Sequence, residues 1–449
     1  MDPVIQTCLR VTSRQLPSAL PIRTVMSTLD IDTVRVNFPS LANSAFIFAD
    51  NAGGSQCLSS VVDRISDYLL HTNVQLGADY SVSVTSTDRV AQGVEAARQL
   101  LNASSVDEVG FGSSSTMVVE NLARAIEADV HDDEEIIITG EHEANAGPWK
   151  RLAARKGLTV KVWHPAAAPG SDNPYAVSLL VEDLLPLITS KTRLVAFTAC
   201  SNILGSVIPV QEVIKAIRAK ASELGARKIE TSVDCVAYAP HRQVDVQAWD
   251  VDYCFFSAYK VYGPHTSIFY AKAACLKSSL SSLAHHFLKV DDKTYKLQPG
   301  GTGYELVYGI TAIPKYLRSL SQSQSLEESF RLIAEHEQTL VSPLLTYLKS
   351  KTSRGVRIVG EERAGLSRVP TISFVVVGDR AIRSQDVVKV FDQKGGVGIR
   401  YGHFYAYTLI DTLQPKLDVD DAVVRISLVH YNTVKDVERI IEILEEVLA

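Results

Sequence analysis

The sequence predicts an α/β protein: a large domain around a mainly parallel sheet, followed by a smaller α+β domain. Three observations predict it. Short apolar runs without polar alternation recur from about residue 108 to residue 260, as strands buried on both faces require. Helical patterns separate these runs, which is the arrangement that covers a parallel sheet on both faces. Beyond about Gly309 the helical patterns lengthen and late strand-like runs follow, which marks a second, smaller unit.

In order along the chain, residues 1–28 carry Arg10, Arg14 and Arg23 against Asp2 alone. Their prolines and weak helical face point to a leader or arm more than to an Arg-rich presequence. "DRVAQGVEAARQLLNA" (88–103) reads as a helix, and "EVGFG" as a strand leading through a Ser-rich loop into another helix. "EEIIITG", "LTVKVWHP" and "TRLVAFTACS" are buried-strand patterns. "GPWKRLAARKG" is a helix ending at Gly157, and "VQEVIKAIRAKASELGA" one that stops at Gly225. "IETSVDCVAY" and "VDYCFFSAYK" close the large domain's series, and "SLEESFRLIAEHEQTLVSPLLTYLKS" opens the long helical texture. "VPTISFVVVG", "VRISLVHYN" and the helix "TVKDVERIIEILEEVLA" complete the small domain. The expected organisation is 1–28 as leader, 29–309 as the large domain and 310–449 as the small one.

Composition narrows the function. The 449 residues are 46% hydrophobic and 21% charged, an ordinary globular balance. A net charge of −6 gives no footprint for nucleic acid. No apolar run approaches the ~20 residues that span a bilayer. The six cysteines form no CxxC or Cys/His zinc spacing, so they read as reduced thiols of a cytoplasmic protein without a metal site.

Ligands of an open parallel sheet bind beyond the carboxyl ends of its strands. Ser113, Ser114, Ser115 and Thr116 stand there before a helix, where hydroxyls and free N–H groups suit an anion. His142 follows "EEIIITG", and Asn202 follows "RLVAFTACS". Asp234 ends an apolar strand, where a carboxylate is costly without a cation. Lys260, in "FSAYKVYGPH", stands where lost hydration favours a neutral, nucleophilic amine. Arg400 and Arg425 stand near late strand ends and could grip a carboxylate. Singly, each has an ordinary alternative: a cap, a turn residue, a surface salt bridge.

In order, "FADNAGG", "GSSSTMVVEN", "EHEANAGPW", "SNILG", "SVDCVAYAPH", "FSAYKVYGPH", "RYGHF" and "VRISLVHYNT" resemble the motifs of the class V, fold-type I pyridoxal-phosphate enzymes, and most closely their cysteine-desulfurase-like branch. The resemblance runs from about Leu29 to the C-terminus. It implies a large domain with a mainly parallel seven-stranded sheet and pyridoxal 5'-phosphate as cofactor. Lys260 would carry the cofactor as a Schiff base, Asp234 would pair with its ring nitrogen, and His142 would stack on the ring. Ser115, Thr116, Ser257 and Tyr259 would hold its phosphate, with Asn202 beside it. Thr302 would reach the phosphate of a partner subunit, which implies a homodimer with sites at the interface. Arg425 and Asn202 would bind the carboxylate of a small amino-acid substrate, with Asn51, Ala52, Arg400, His403 and Tyr405 around it.

The sequence departs from the desulfurase pattern in three places. Tyr405 stands where those enzymes carry the cysteine that takes up sulfur, and a phenol of reference pKa ~10 is no sulfur acceptor. Ala237 replaces a common glutamine, and Tyr259 a common histidine. The electron sink is kept while the sulfur-handling part is gone. Fungal members of this branch in secondary metabolism use such a Cα carbanion to make carbon–carbon bonds. "HRQVDV" (241–246), the "YK-x-x-GPH" run and "VHYNT" resemble them, and the loline-type Mannich cyclase in particular. The expectation is therefore Mannich-type cyclisation in alkaloid formation, with Tyr401, His403 and Tyr405 lining the electrophile's pocket. The alternative is lyase or desulfurase-like cleavage of a C–S or C–Se bond.

Overall fold

The computed structural model describes residues 29–42, 44–168 and 170–449, so the expected leader lies outside the described residues. A two-residue strand, β1 (Ile47–Phe48), comes first. Seven strands then form the large sheet: β2 (Val109–Gly112), β3 (Glu135–Thr139), β4 (Thr159–Trp163), β5 (Thr192–Thr198), β6 (Glu230–Asp234), β7 (Tyr253–Ser257) and β8 (Ser267–Ala271). Their order across the sheet is β2-β8-β7-β6-β5-β3-β4. Neighbours are parallel except at β8, which runs antiparallel to both β2 and β7.

Every residue of β5, β6, β7 and β8 is buried, as a sheet covered on both faces requires. Six of the seven strands are visible as apolar runs in the sequence. The seventh, "SIFYA" in β8, directly follows the Lys260 turn and slots between the first strand and the last of the parallel series.

The second sheet is antiparallel, in the order β9 (Val356–Val359), β10 (Thr371–Val376), β13 (Val423–Ser427), β12 (Arg400–Gly402). Strand β11 (Val397–Gly398) lies beside it and pairs in parallel with β1, Ile47 opposite Val397. Residues 47–55 thus return to the C-terminal unit. The Ala49 N–H donates to the Gly398 carbonyl at 3.0 Å, and the Ser427 N–H to the Ala49 carbonyl at 2.7 Å.

One long helix, α2 (Leu326–Ser350), joins the two cores; α1 is kept for Ser115–Ile126, which follows β2. Phe330 and Ile333 at the start of α2 pack into the large domain's core. Leu340, Leu344 and Leu348 at its end pack with Ile372, Phe374 and Ile440 in the other.

Candidate active site

The carboxyl ends of β2, β3, β5, β6 and β7 converge on one cleft, the place where an open parallel sheet binds its ligands. Ser115, Thr116, His142, Asn202, Asp234, Ser257, Tyr259 and Lys260 all line it, with Ala144, Thr198, Cys200 and Ala237. A larger, more open groove lined by Arg64, Glu95, Lys315 and Arg318 has no comparable convergence of strand ends.

Lys260 ends the short turn Ala258–Lys260 that follows β7 and is buried. Among the described residues its amine has no hydrogen-bond or ion-pair partner. Burial, aided by the nearby Arg425 charge, lowers its pKa to about 8, although Asp234 and Asp50 oppose this. The turn is held by Ser55: its N–H and Oγ both donate to the Tyr259 carbonyl, at 3.2 and 3.1 Å, and its Oγ accepts the Tyr262 N–H at 3.0 Å. The two residues that bracket Lys260 are therefore fixed by their backbone, and the amine is aimed by them.

Asp234 is the last residue of β6. One oxygen accepts the Val236 N–H at 2.8 Å, and the other has no partner among the described residues. Burial pushes its carboxyl up to about 6, against the pull of Lys260. Such a carboxylate lacks a cation. His142 is held by its own turn: Nδ1 accepts the Ala144 N–H at 3.1 Å, which puts the proton of the neutral ring on Nε2. Burial, with Lys260 and Arg425 nearby, lowers its pKa to about 4, so it is uncharged near neutrality.

The anion end is built from hydroxyls and a helix start. Ser115 Oγ lies 2.7 Å from Ser257 Oγ and 3.0 Å from Ser267 Oγ. The N-cap of α1 is Ser114, whose side chain accepts the Met117 N–H. The Ser115 and Thr116 N–H groups are left without an acceptor among the described residues, as an anion site at a helix N-terminus needs.

These features fit pyridoxal phosphate: an unpartnered amine of lowered pKa for its aldehyde, an orphaned carboxylate oxygen for its ring nitrogen, a neutral imidazole for its ring face, and a hydroxyl cluster for its phosphate. Thr302 is not in this cleft. It lines a separate groove with Ser113, Met117 and His265.

The substrate end differs from expectation. Asn51 is buried and spends its amide on the fold: Nδ2 donates to the Phe48 and Ser427 carbonyls at 2.7 and 3.0 Å, and Oδ1 accepts from the Tyr431 hydroxyl. The Ala52 N–H is likewise committed to Ser427 Oγ at 2.9 Å. Arg425 is buried and paired with Asp50 at 2.9 Å, and Arg400 lies 3.5 Å from the same carboxylate. Asn202 lines the cleft while its amide donates to the Phe404 carbonyl at 3.0 Å. His403 is partly exposed, and its Nδ1 accepts the Tyr405 N–H at 3.2 Å. Tyr405 is exposed, with φ +62°. Its ring centre lies 5.4 Å from that of His142, and its carbonyl accepts the Glu143 N–H at 2.9 Å.

Three residues of the site escaped the sequence reading. Asp50 and Ser267 carried no local signal. Cys200 does line the cleft, two residues before Asn202, whereas the sequence alone measures only spacing along the chain from Tyr405. Its thiol is fully buried and its pKa is pushed far up by that burial, so it supplies no thiolate.

A fourth, Glu141, sits beside His142. One oxygen accepts from Ser201 Oγ at 2.8 Å and the other is buried without a partner among the described residues. Burial, reinforced by Asp234, pushes the carboxyl up to about 7 from 4.5. The folded chain therefore holds a proton that the unfolded chain has released. The stability this gives is complete below about pH 4.5 and is lost as pH rises through 7. For Glu141 alone the loss is about 3 kcal/mol, and Asp234 slopes the same way at lower pH. Glu141→Gln should flatten the fall in the apoprotein's thermal midpoint between pH 5 and pH 8. An unchanged slope would place the responsible charge elsewhere.

A family model described as aminotransferase class-V matches residues 47–440. The chain is 41% identical over 428 residues to the aminotransferase-like protein FGM3 of Gibberella zeae, covering 94% of this chain and 99% of that protein. It is 32% identical to the cysteine desulfurase-like protein ustD of Aspergillus flavus, covering 94% and 91% of the two chains. Among solved structures, an apo cysteine desulfurase from Thermococcus onnurineus superposes with a TM-score of 0.77 over 94% of this chain and 99% of that one, at 21% identity, a likeness of fold.

Proposed function

The chain belongs to the class-V aminotransferase family, whose members are pyridoxal-phosphate-dependent enzymes, and from that premise we propose that it generates an amino-acid Cα carbanion for carbon–carbon bond formation. The finer reading is Mannich-type cyclisation in fungal alkaloid metabolism. Pyridoxal phosphate, when bound, supplies an electron-poor ring that takes up the electron pair released at the substrate's Cα. The remaining work falls to the chain's own residues. Lys260, uncharged in a good fraction of molecules near pH 8, accepts and holds the Cα proton. Asp234 offers its free oxygen to the ring nitrogen and keeps it charged. His142, neutral and fixed by the Ala144 N–H, covers the ring face. The Ser115 and Ser257 hydroxyls and the start of α1 hold the phosphate, with Ser267 bonded to Ser115 from behind. Arg425 binds the substrate carboxylate. Thr302, which lines a separate groove, would serve the phosphate of a second copy in a homodimer.

The observation that carries the carbon–carbon reading is the chemistry of the cleft's sulfur. Cys200 is the one thiol lining the cleft among the described residues, and it is buried and protonated. Tyr405 is exposed, and its ring centre lies 5.4 Å from that of His142, which lines the cleft. A thiol that stays protonated cannot relay sulfur, whereas an aromatic wall suits a cationic carbon electrophile such as an iminium. The test uses the holoenzyme in heavy water with a panel of amino acids that includes L-cysteine. Deuterium should enter at Cα with the carbon skeleton intact and without sulfide. Rapid sulfide release with pyruvate and ammonia, or with alanine when a thiol reductant is supplied, would establish C–S cleavage instead.

A further inference from the structure

Asp50 is the only carboxylate that ion-pairs with Arg425 among the described residues, and its setting is unlike that of a structural ion pair. Its Oδ1 accepts from Arg425 Nη2 at 2.9 Å, and its Oδ2 lies 3.5 Å from Arg400 Nη1. Two guanidiniums share one carboxylate, which leaves one positive charge over.

A carboxylate binds arginine in bidentate fashion along one of two edges, Nη1 with Nη2 or Nε with Nη2. Both edges use an N–H of Nη2, and Asp50 takes one of the two and sets its own charge against a second carboxylate there. The other donors are in part engaged or enclosed. Nη1 donates to the Asn202 carbonyl at 3.2 Å, Nε is buried without a partner, and the Phe404 ring centre lies 3.6 Å from the guanidinium carbon. A substrate carboxylate therefore has to compete with Asp50, for the Nη2 donors and for the positive charge that Asp50 neutralises, to make a two-point contact.

Asp50 is also held in a way that lets it leave. Among the described residues no backbone N–H donates to its carboxylate; its grip comes from the two arginines. Its side chain is 25% exposed, against 2% for Arg425. The carboxylate lies over Gly53, where a Cβ would stand 2.8 Å from Oδ2, so the glycine keeps that space open. Arg400, itself more than half exposed, is the partner that remains when Arg425 is taken.

We propose that Asp50 is a displaceable counter-ion: it occupies Arg425 in the substrate-free enzyme, and the incoming amino-acid carboxylate displaces it toward Arg400. This rests on the assignment of Arg425 to the substrate carboxylate. The exchange keeps the buried guanidinium neutralised in both states, at the expense of apparent affinity, because only molecules with Asp50 swung away are competent to bind.

The experiment is titration of the holoenzyme with L-alanine, read by visible absorbance, for wild type, Asp50→Asn and Arg425→Gln. Asp50→Asn should lower the apparent Kd about tenfold, the factor for a competent fraction near one tenth. If Asp50 only orients Arg425, the same variant raises the Kd, and a raised or unchanged value overturns the proposal. Asp50→Ser carries the same expectation and serves if the asparagine variant does not fold. Arg425→Gln tests the underlying assignment separately. An unchanged Kd there shows that the carboxylate is held elsewhere. A raised Kd with no tightening in the Asp50 variants shows that only the counter-ion role is wrong.

Discussion

Lys260→Ala is expected to abolish the visible absorbance of the lysine-linked cofactor and Cα proton exchange together. The proposed function gives one amine both tasks. It is buried, has no protein partner among the described residues, and is uncharged in part near neutrality because burial lowers its pKa to about 8. A methyl group can neither link to an aldehyde nor accept a proton, and loss of a positioned base by itself is worth up to on the order of ten-thousandfold. Deuterium incorporation at Cα, followed by NMR, should fall by at least that factor. The fold should survive, because Ser55 holds the turn through the backbone of Tyr259 and Tyr262 and not through the lysine side chain. A folded Lys260→Ala protein with full exchange would remove Lys260 from the chemistry.

Asp234→Asn is expected to move activity and stability in opposite directions. An asparagine keeps the shape and, through Oδ1, the acceptor for the Val236 N–H at 2.8 Å. It removes the charge that would keep the ring nitrogen protonated. Loss of one preorganised electrostatic contact of this kind costs about 10²–10³ in rate, so exchange at Cα should fall by that much at saturating cofactor. The apoprotein should meanwhile melt higher above pH 6. The native carboxyl is pushed up to about 6 by burial, so its ionised form is the one the fold tolerates poorly. An apoprotein no more stable than wild type at pH 8 would mean that Asp234 is solvated or paired there.

What the sequence makes legible depends on how local the cause is. Lys260 and Asp234 stand out because a charged residue at the end of an apolar strand needs an explanation within a few residues of itself. The parallel series is legible for the same reason, since each strand carries its own burial pattern. Strand β8 is just as fully buried, but its antiparallel direction is not legible, because direction is set by pairing with β2 and β7 and not by composition. Asp50 reads as a loop acid, because what gives it meaning is an arginine 375 residues away. Asn51 and Ala52 are adjacent to it and look alike as candidates, yet their polar groups are taken up by Ser427, Phe48 and Tyr431. Spacing along the chain also sets Cys200 far from Tyr405, while the fold brings Cys200 into the cleft that His142 lines and sets the Tyr405 ring beside His142.

The returning segment 47–55 has a consequence for the order of assembly. Ile47 pairs with Val397, 350 residues later in the chain, and Asp50 and Ser55 act from the same stretch on Arg425 and on the Lys260 turn. Contacts of such sequence separation form late, since the chain between them must be ordered first. During synthesis the large sheet can gather its strands once Ala271 has emerged, and Ser55 then already has Tyr259 and Tyr262 to hold. Asp50 has no mate until Arg400 and Arg425 appear, so the arginine end of the cleft is the last part of the site that the growing chain can complete.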